Sequence, residues 1–172
     1  MNRLLPFLGL LAAVPAFGQW YSGGNAIQDE TWRKTKGQFG VMLVLTDEPE
    51  KLVDDWKKPE IPNIKMTSVA TRDKPIVAFI LFTGCAESQG RCDSEIDFVV
   101  LKPDGSEYSS HSGAPLWKYP APPGRALQLS TANLGIRIEP QDPAGTYRIL
   151  AKARDINAKV DIDVSQSLVV EK

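Results

Sequence analysis

The sequence predicts an all-β protein: an antiparallel β-sandwich with one short helix and an N-terminal arm. Apolar and polar residues alternate with a period of two in several short segments, which is the pattern of half-buried strands. Turn sequences containing glycine, proline and aspartate separate these segments, and helix signals are confined to residues 48–57. A chain of 172 residues is long enough to bury one core.

The charge balance excludes some classes of partner. The chain carries 20 basic and 21 acidic residues, which gives a formal net charge of −1. Binding to nucleic acid or to an anionic membrane surface needs an excess of lysine and arginine. We therefore expect neither kind of partner.

Residues 1–18 are typical of an export signal. Arg3 provides a positive charge, residues 4–14 form an apolar core, and Ala16-Phe17-Gly18 is a small-x-small cleavage site. The apolar run is too short for a membrane-spanning helix. We expect cleavage after Gly18 and a periplasmic or secreted mature protein without a membrane span.

Residues 19–36 are predicted to form the N-terminal arm, and residues 37–172 the sandwich domain. Trp20 and Trp32 occur in the arm without regular spacing, which indicates a loosely attached segment with a few aromatic anchors. An arm that docks on a partner is the alternative. The alternating residues 38–45 predict the first strand of the domain.

Residues 48–57 are predicted to form the helix. Asp47 precedes them as an N-cap, and Pro49 lies in the first turn. Residues 76–82 (IVAFILF) form a strand that is apolar on both faces, whereas an antiparallel sheet commonly has one solvated face. We expect the helix, through Trp56, to cover the second face; a homodimer partner is the alternative.

Cys85 and Cys92, the only two cysteines, are predicted to form a disulfide bond. An even pair at short spacing in an exported chain is typical of a disulfide that closes a loop. A redox-active pair is disfavoured because the two-residue spacing that activates such thiols is missing. Two cysteines and a single histidine also argue against a zinc site.

Three acidic residues, Asp93, Glu95 and Asp97, alternate at the predicted strand 94–101. Side chains two residues apart on a strand are separated by about 7 Å, whereas calcium needs roughly six to eight converging oxygens. The pattern therefore favours a solvated acidic edge over a metal site.

His111 lies in a serine- and glycine-rich segment that is predicted to be a loop. The chain has no Gly-x-Ser-x-Gly elbow, and no local arrangement would activate a serine. We expect no catalytic, cofactor-binding or metal-binding residues and no enzyme activity. A hydrolase that uses His111 is the most weakly supported alternative.

The centre of the chain predicts a hairpin followed by a crossing. A Pro-Asp-Gly turn joins strand 94–101 to a short return strand at 107–110. Residues 115–124 (PLWKYPAPPG) predict an extended, proline-rich crossing. Its aromatic residues, Trp117 and Tyr119, either pin the crossing to the sandwich edge, which we favour, or face a partner.

Two short strands, residues 126–130 and 134–139, are predicted to follow the crossing. Alternation predicts the following inward-facing side chains: Leu127, Leu129, Leu134, Ile136 and Ile138.

Residues 146–154 and 160–170 predict a closing antiparallel hairpin. If Asp155 pairs with Val160, the alternating apolar residues share the inner face, with Ala153 opposite Ile162 and Ala151 opposite Val164. The same register places Arg154 opposite Asp161 and also brings Lys152 opposite Asp163, so charge and hydrophobic pattern select one register independently.

The segment Asp142-Pro143-Ala144-Gly145-Thr146-Tyr147, which opens the first strand of this hairpin, resembles the tyrosine corner of immunoglobulin-like sandwiches. Ile149 stands where antibody domains have a cysteine, so the inter-sheet disulfide of that family is not formed. The chain is similar to the immunoglobulin-like or macroglobulin-like modules of bacterial envelope proteins. The resemblance implies an immunoglobulin-like fold and an exported module.

These features predict an exported, non-catalytic binding or accessory module of the bacterial cell envelope, whose partner is another envelope protein. Aromatic residues outside the regular strands are the candidate partner-binding residues: Trp20, Trp56, Trp117 and Tyr119. A sandwich that binds a small molecule or glycan is the alternative, in which Trp117, Tyr119 and Trp20 provide stacking surfaces. We expect no cofactor in either case.

Overall fold

A computed structural model describes residues 20–22, 25–60, 62–123 and 126–171. The predicted signal peptide and its cleavage site after Gly18 lie outside the described residues. The elements in chain order are β1 (Trp20–Ser22), β2 (Asn25–Ile27), β3 (Arg33–Lys36), β4 (Phe39–Thr46), α1 (Pro49–Trp56), β5 (Val69–Ala70), β6 (Ile76–Thr83), β7 (Glu87–Ser88), β8 (Arg91–Cys92), β9 (Ser94–Leu101), β10 (Glu107–Trp117), β11 (Gln128–Ile136), β12 (Gly145–Asp155) and β13 (Val160–Val170). Within these residues, no helix is long and apolar enough to cross a membrane.

Two sheets pack face to face as an immunoglobulin-like β-sandwich, which confirms the predicted fold class. One sheet has the strand order β10-β9-β12-β13-β5, and the other has the order β11-β6-β4-β3. Their pairings are antiparallel except for the short parallel contact between β13 and β5. Strand β3 was predicted to belong to the arm, but it pairs with β4 and is part of the domain.

Alternate residues of both sheets fill the space between them. The largest side chains that are fully buried there include Phe39, Phe82, Phe98 and Tyr147. Burial of each such side chain contributes about 1.5–3 kcal/mol or more, so this layer accounts for much of the stability of the fold.

The register of the closing hairpin is confirmed, since Asp155 pairs with Val160 and Arg154 lies opposite Asp161. The ion pairs, however, differ from those predicted. The Arg154 guanidinium donates to Asp97 on β9 at 2.8 Å, and the Lys152 ammonium lies 3.0 Å from Asp161, diagonally across the ladder. Because β12 is a central strand, its outward side chains have partners on both neighbouring strands.

The tyrosine corner is also present. Tyr147 is fully buried, and its hydroxyl donates to the carbonyl oxygen of Pro143 at 3.0 Å. The ring of Tyr108 packs edge-on against Tyr147 at a centroid distance of 5.7 Å. The corner fixes the chain where it enters β12.

Helix α1 covers the outer face of β6, as predicted. Leu52, with the half-buried Val53 and Trp56, packs against Phe79 and Leu81. A second, smaller core therefore lies outside the sandwich and explains why both faces of β6 are apolar.

The predicted N-cap of the helix is wrong. Glu48 occupies the N-cap position and makes no side-chain capping hydrogen bond. The hydroxyl of Thr46 instead accepts a hydrogen bond from the backbone N–H of Glu48 at 3.1 Å. Thr46 ends β4, so the strand end itself satisfies this donor and Asp47 remains exposed.

Two predictions for the centre of the chain are corrected. Strand β10 continues to Trp117, so His111 and Pro115 lie on a strand rather than in a loop and a crossing. Residues 128–136 form one strand, β11, with a register shift between Leu129 and Asn133.

The register shift changes which side chains of β11 face inward. Leu129 lies opposite Leu81 and packs in the outer cluster, whereas Leu134 lies opposite Ala78 and packs against the main core. Leu127, also predicted to face inward, is exposed, while Ile136 and Ile138 are buried as expected.

Candidate binding site at one end of the sandwich

Two of the predicted partner-binding residues pack against the protein itself. The indole N–H of Trp20 donates to the carbonyl oxygen of Lys34 at 3.4 Å. A Cβ added to Gly40 would lie 3.1 Å from the Trp20 ring, so this glycine makes room for the indole. Trp56 is half-buried in the cluster under α1. Both side chains attach peripheral elements to the four-stranded sheet.

Trp117 and Tyr119 form an aromatic pair at the end of β10. The Trp117 ring lies 5.6 Å from the ring of Phe82 in the core, and its N–H donates to the carbonyl oxygen of Pro120 at 3.1 Å. Tyr119 packs edge-on against Trp117 at 5.1 Å but remains 51% exposed. Trp117 thus anchors the segment, as predicted, and presents Tyr119 to solvent.

The predicted disulfide between Cys85 and Cys92 is present. It closes a ring of residues 85–92, within which the short strands β7 and β8 pair. We call this ring, together with its two flanking residues 84 and 93, the clipped loop. Gly84 begins the loop with φ +68°, and a Cβ added there would lie 2.0 Å from the carbonyl oxygen of Gln38. Only glycine fits this close approach to the turn between β3 and β4.

The turn between β12 and β13 holds the clipped loop in place. Asp155, which is 1% exposed, accepts hydrogen bonds from the backbone N–H of Ala86 at 2.6 Å and of Ala158 at 3.1 Å. The side-chain amide of Asn157 donates to the carbonyl oxygens of Ala86 at 3.0 Å and Arg91 at 3.1 Å. The clipped loop is therefore tied to the turn by side-chain bonds as well as closed by the disulfide.

A third segment, residues 118–123, is attached to the other side of the clipped loop. The backbone N–H of Cys92 donates to the carbonyl oxygen of Tyr119 at 2.9 Å. On the side of the β12–β13 turn, the backbone N–H of Ile156 donates to the carbonyl oxygen of Asp93 at 2.9 Å. The guanidinium of Arg91 donates to the carbonyl oxygen of Lys118 at 2.8 Å. We call the clipped loop, residues 118–123 and the turn 156–159 together the loop end.

Tyr119 and Ile156, the latter 42% exposed, therefore flank the same short stretch of the clipped loop from opposite sides. Two concavities open beside it. The first, of about 460 Å³, lies between the clipped loop and the turns at 37–38 and 156–159, and includes Phe39 and Val160. The second, of about 440 Å³, is more polar, with the following lining residues: Ser88, Gln89, Arg91, Cys92, Asp93, Lys118 and Asn157.

The three acidic residues at β9, Asp93, Glu95 and Asp97, each lie next to a cationic side chain. The Lys118 ammonium lies 2.8 Å from Asp93 and 3.1 Å from Glu95, and these hydrogen bonds raise the pKa of Lys118. Arg154 holds the pKa of Asp97 at about 2, chiefly by donating hydrogen bonds to it. In the described part of the chain, no group of three or more histidine, cysteine, aspartate or glutamate side chains could hold a metal ion.

His111 is exposed on β10, opposite Phe98, and lines neither concavity of the loop end. Sequence reasoning missed the roles of Asp155, Asn157 and Ile156. The Asp-Ile-Asn sequence indicates a turn. Nothing in it shows that the turn binds a loop about 70 positions earlier in the chain.

Comparison with known proteins gives only remote similarities. No family model matches the chain, and no curated protein matches it. A family 123 glycoside hydrolase from Clostridium perfringens superposes with a TM-score of 0.47 at 9% identity, over 77% of this chain and 27% of the hydrolase. The chain thus spans about a quarter of the length of that enzyme.

Two smaller proteins are similar over most of their length. The CARDB domain of a Pyrococcus furiosus protein, solved with di-metal ions, has a TM-score of 0.41 at 11% identity, over 88% of this chain and 98% of the domain. A Niemann-Pick type C2 protein from the Japanese carpenter ant has a TM-score of 0.35 at 12% identity, over 75% of this chain and 89% of that protein. Similarities at this level do not extend to ligands or reactions.

Proposed function

We propose that the protein is an exported, non-catalytic binding module of the bacterial cell envelope, which binds another envelope protein through the loop end. The observation that supports this most directly is the pair of exposed apolar side chains, Tyr119 and Ile156, on either side of a braced, disulfide-closed loop. Loops held by a rigid sandwich are frequent binding sites.

Rigidity favours binding because a loop that is already ordered loses little conformational entropy in a complex. The clipped loop is held by the disulfide, by the carboxylate of Asp155 and by the amide of Asn157. Tyrosine is also enriched among residues that contribute most to binding energy, because its ring is large, stiff and amphipathic.

The edges of the five-stranded sheet are poorly suited to the other common binding mode, the addition of a partner strand. Strand β10 has three register shifts along its length, and β5 has only two residues. Irregular or short edge strands resist pairing with another chain. This supports a site in the loops.

Export is supported by the residues that resemble a signal peptide and by the disulfide, because such bonds persist in oxidising compartments. The proposed compartment is the periplasm or the extracellular space.

Photo-crosslinking in the intact envelope tests the proposal. A photoreactive amino acid is introduced at Tyr119, at Ile156 or, as the matched control, at exposed Lys74 in the turn before β6 at the opposite end of the sandwich. We expect the first two positions to give the same discrete adduct and Lys74 to give none. If neither loop position gives an adduct, or Lys74 gives the same one, the proposed site is wrong.

A second candidate function, binding of a glycan or small polar molecule, is favoured by the polar concavity next to Tyr119. Arg91, Asp93 and Asn157 supply both donors and acceptors there, and the exposed tyrosine could provide a stacking surface. Trp20 packs on a different face, beside Gly40, so the three predicted aromatic residues do not form one platform. Glycan-array binding that is lost in Tyr119→Ala but unchanged in Trp20→Phe would favour this candidate.

A further inference from the structure

A groove lies on the outer face of the four-stranded sheet, between α1 and β11. Its floor is formed by Val77 and Phe79 of β6, and one wall by Pro49 and Val53 of the helix. The volume is about 420 Å³. This surface is separate from the loop end, and the inference drawn from it does not rest on the proposed function.

On the β11 side Asn133 lines the groove, and the next outward position, Gly135, adds no side chain. The register places Gly135 opposite Val77 and Asn133 opposite Phe79. A Cβ added to Gly135 would meet nothing within 4 Å, and its φ lies outside the range that disfavours other residues. A glycine inside a strand weakens it, and neither backbone conformation nor packing requires one here.

Another glycine of the same sheet shows what such a gap can accommodate. Gly40 lies on the same outer face, and a Cβ there would lie within 3.1 Å of the Trp20 ring and 3.0 Å of Thr83. In that case an aromatic side chain of the protein occupies the space above the glycine. The space above Gly135 has no such occupant among the described residues.

The charge around the groove indicates what would bind there. Glu50 and Asp54, both exposed, are its charged lining residues. Asp54 pairs with Lys57 at 2.9 Å, but both side chains are 69% exposed, so this pair is weak and can be exchanged. A ligand that places an apolar side chain on Val77 would bind more tightly if it also carried a cation close to Glu50 and Asp54.

We propose that the groove between α1 and β11, which Gly135 borders opposite Val77, is a second binding site, which takes a segment of a partner protein with one large apolar side chain flanked by lysine or arginine. The apolar side chain packs on Val77 and Val53, where half-buried surface remains open. The flanking cation lies near Glu50 and Asp54. Absence of a Cβ at Gly135 lets the partner backbone approach the sheet closely.

Selection of a phage-displayed random heptapeptide library on the full mature protein tests this proposal. We expect enriched peptides that contain an apolar residue beside lysine or arginine. Their affinity should fall at least about tenfold with Gly135→Val, which adds a side chain beside Val77 at the border of the groove, and about threefold with Glu50→Gln plus Asp54→Gln. Thr146→Val, a similar exposed β-branched substitution on the other sheet, is the matched control and should leave affinity unchanged.

Folding and oligomeric state are checked on the same variants. Gly135→Val should melt no lower than the wild type, since valine is better suited to a strand than glycine; if it unfolds, the double glutamine variant alone decides the outcome. The proposal is overturned if no enriched peptide responds to either change, or if the enriched peptides are acidic. It is also overturned if sedimentation shows a wild-type dimer that Gly135→Val dissociates, because the occupant is then a second copy.

Discussion

Replacing Gly84 with alanine should destabilise the protein far more than the same replacement at Gly37. The two glycines have nearly equal φ values, +68° and +63°. Both variants therefore carry the penalty for a left-handed alanine, about 1 kcal/mol. At Gly37 an added Cβ meets nothing within 4 Å, whereas at Gly84 it would lie 2.0 Å from the carbonyl oxygen of Gln38 and 2.8 Å from its carbonyl carbon.

The obstructing atoms at Gly84 belong to the backbone, so rotation of a side chain cannot relieve the contact. Either the clipped loop or the turn before buried Phe39 must move, and such shifts cost about 1–3 kcal/mol in a well-packed protein. We expect a loss of about 1 kcal/mol for Gly37→Ala and about 3 kcal/mol for Gly84→Ala in urea unfolding, with similar dependence on denaturant concentration.

The comparison tests whether the clipped loop is held rigidly against the β3–β4 turn. Equal losses for the two variants, within about 0.5 kcal/mol, would refute the reasoning, since the loop would then have moved at little cost. The loss of unfolding free energy in Gly37→Ala measures the cost of the left-handed backbone conformation. The difference between the two variants therefore measures the cost of the contact with Gln38.

Two further outcomes follow from buried or paired groups. Arg154 lowers the pKa of Asp97 from 3.8 to about 2. The ionised carboxylate therefore adds at most about 2 kcal/mol, after screening, to the free energy of unfolding. This contribution is present above pH 3.8 and is lost as pH falls through 2. The difference in unfolding free energy between wild type and Asp97→Asn should be smaller at pH 2.5 than at pH 6; an equal difference at the two pH values would contradict this linkage. Tyr147→Phe removes the hydrogen bond to Pro143 and should cost about 1 kcal/mol in thermal unfolding, and no loss would mean that the corner does not depend on that bond.

Local patterns explain which parts of the fold could be predicted from the sequence. The register of β12 and β13 follows from alternation and from charges across one turn, and the structure has that register. The apolar excess of β6 required a cover, and α1 supplies it. In each case the interacting residues are close in sequence or the pattern itself signals a missing partner.

Features that depend on distant neighbours were not accessible in the same way. The position of β9 beside β12 decides that Arg154 pairs with Asp97, and no local pattern reveals that neighbour. The register shift in β11 turns Leu129 toward the outer cluster, although its sequence alternates like that of an inward strand. The loop end joins segments from three parts of the chain and required the tertiary structure.

The hydrogen bonds from the β12–β13 turn to the clipped loop bear on the order in which hairpin formation and disulfide oxidation occur. A hairpin with local contacts forms within microseconds, whereas oxidation of thiols takes seconds or longer. Asp155 and Asn157 bind Ala86 and Arg91, the residues next to the two cysteines, so a turn that forms first should hold the two thiols close together before oxidation. The closing hairpin should therefore favour oxidation within one chain over links between two copies.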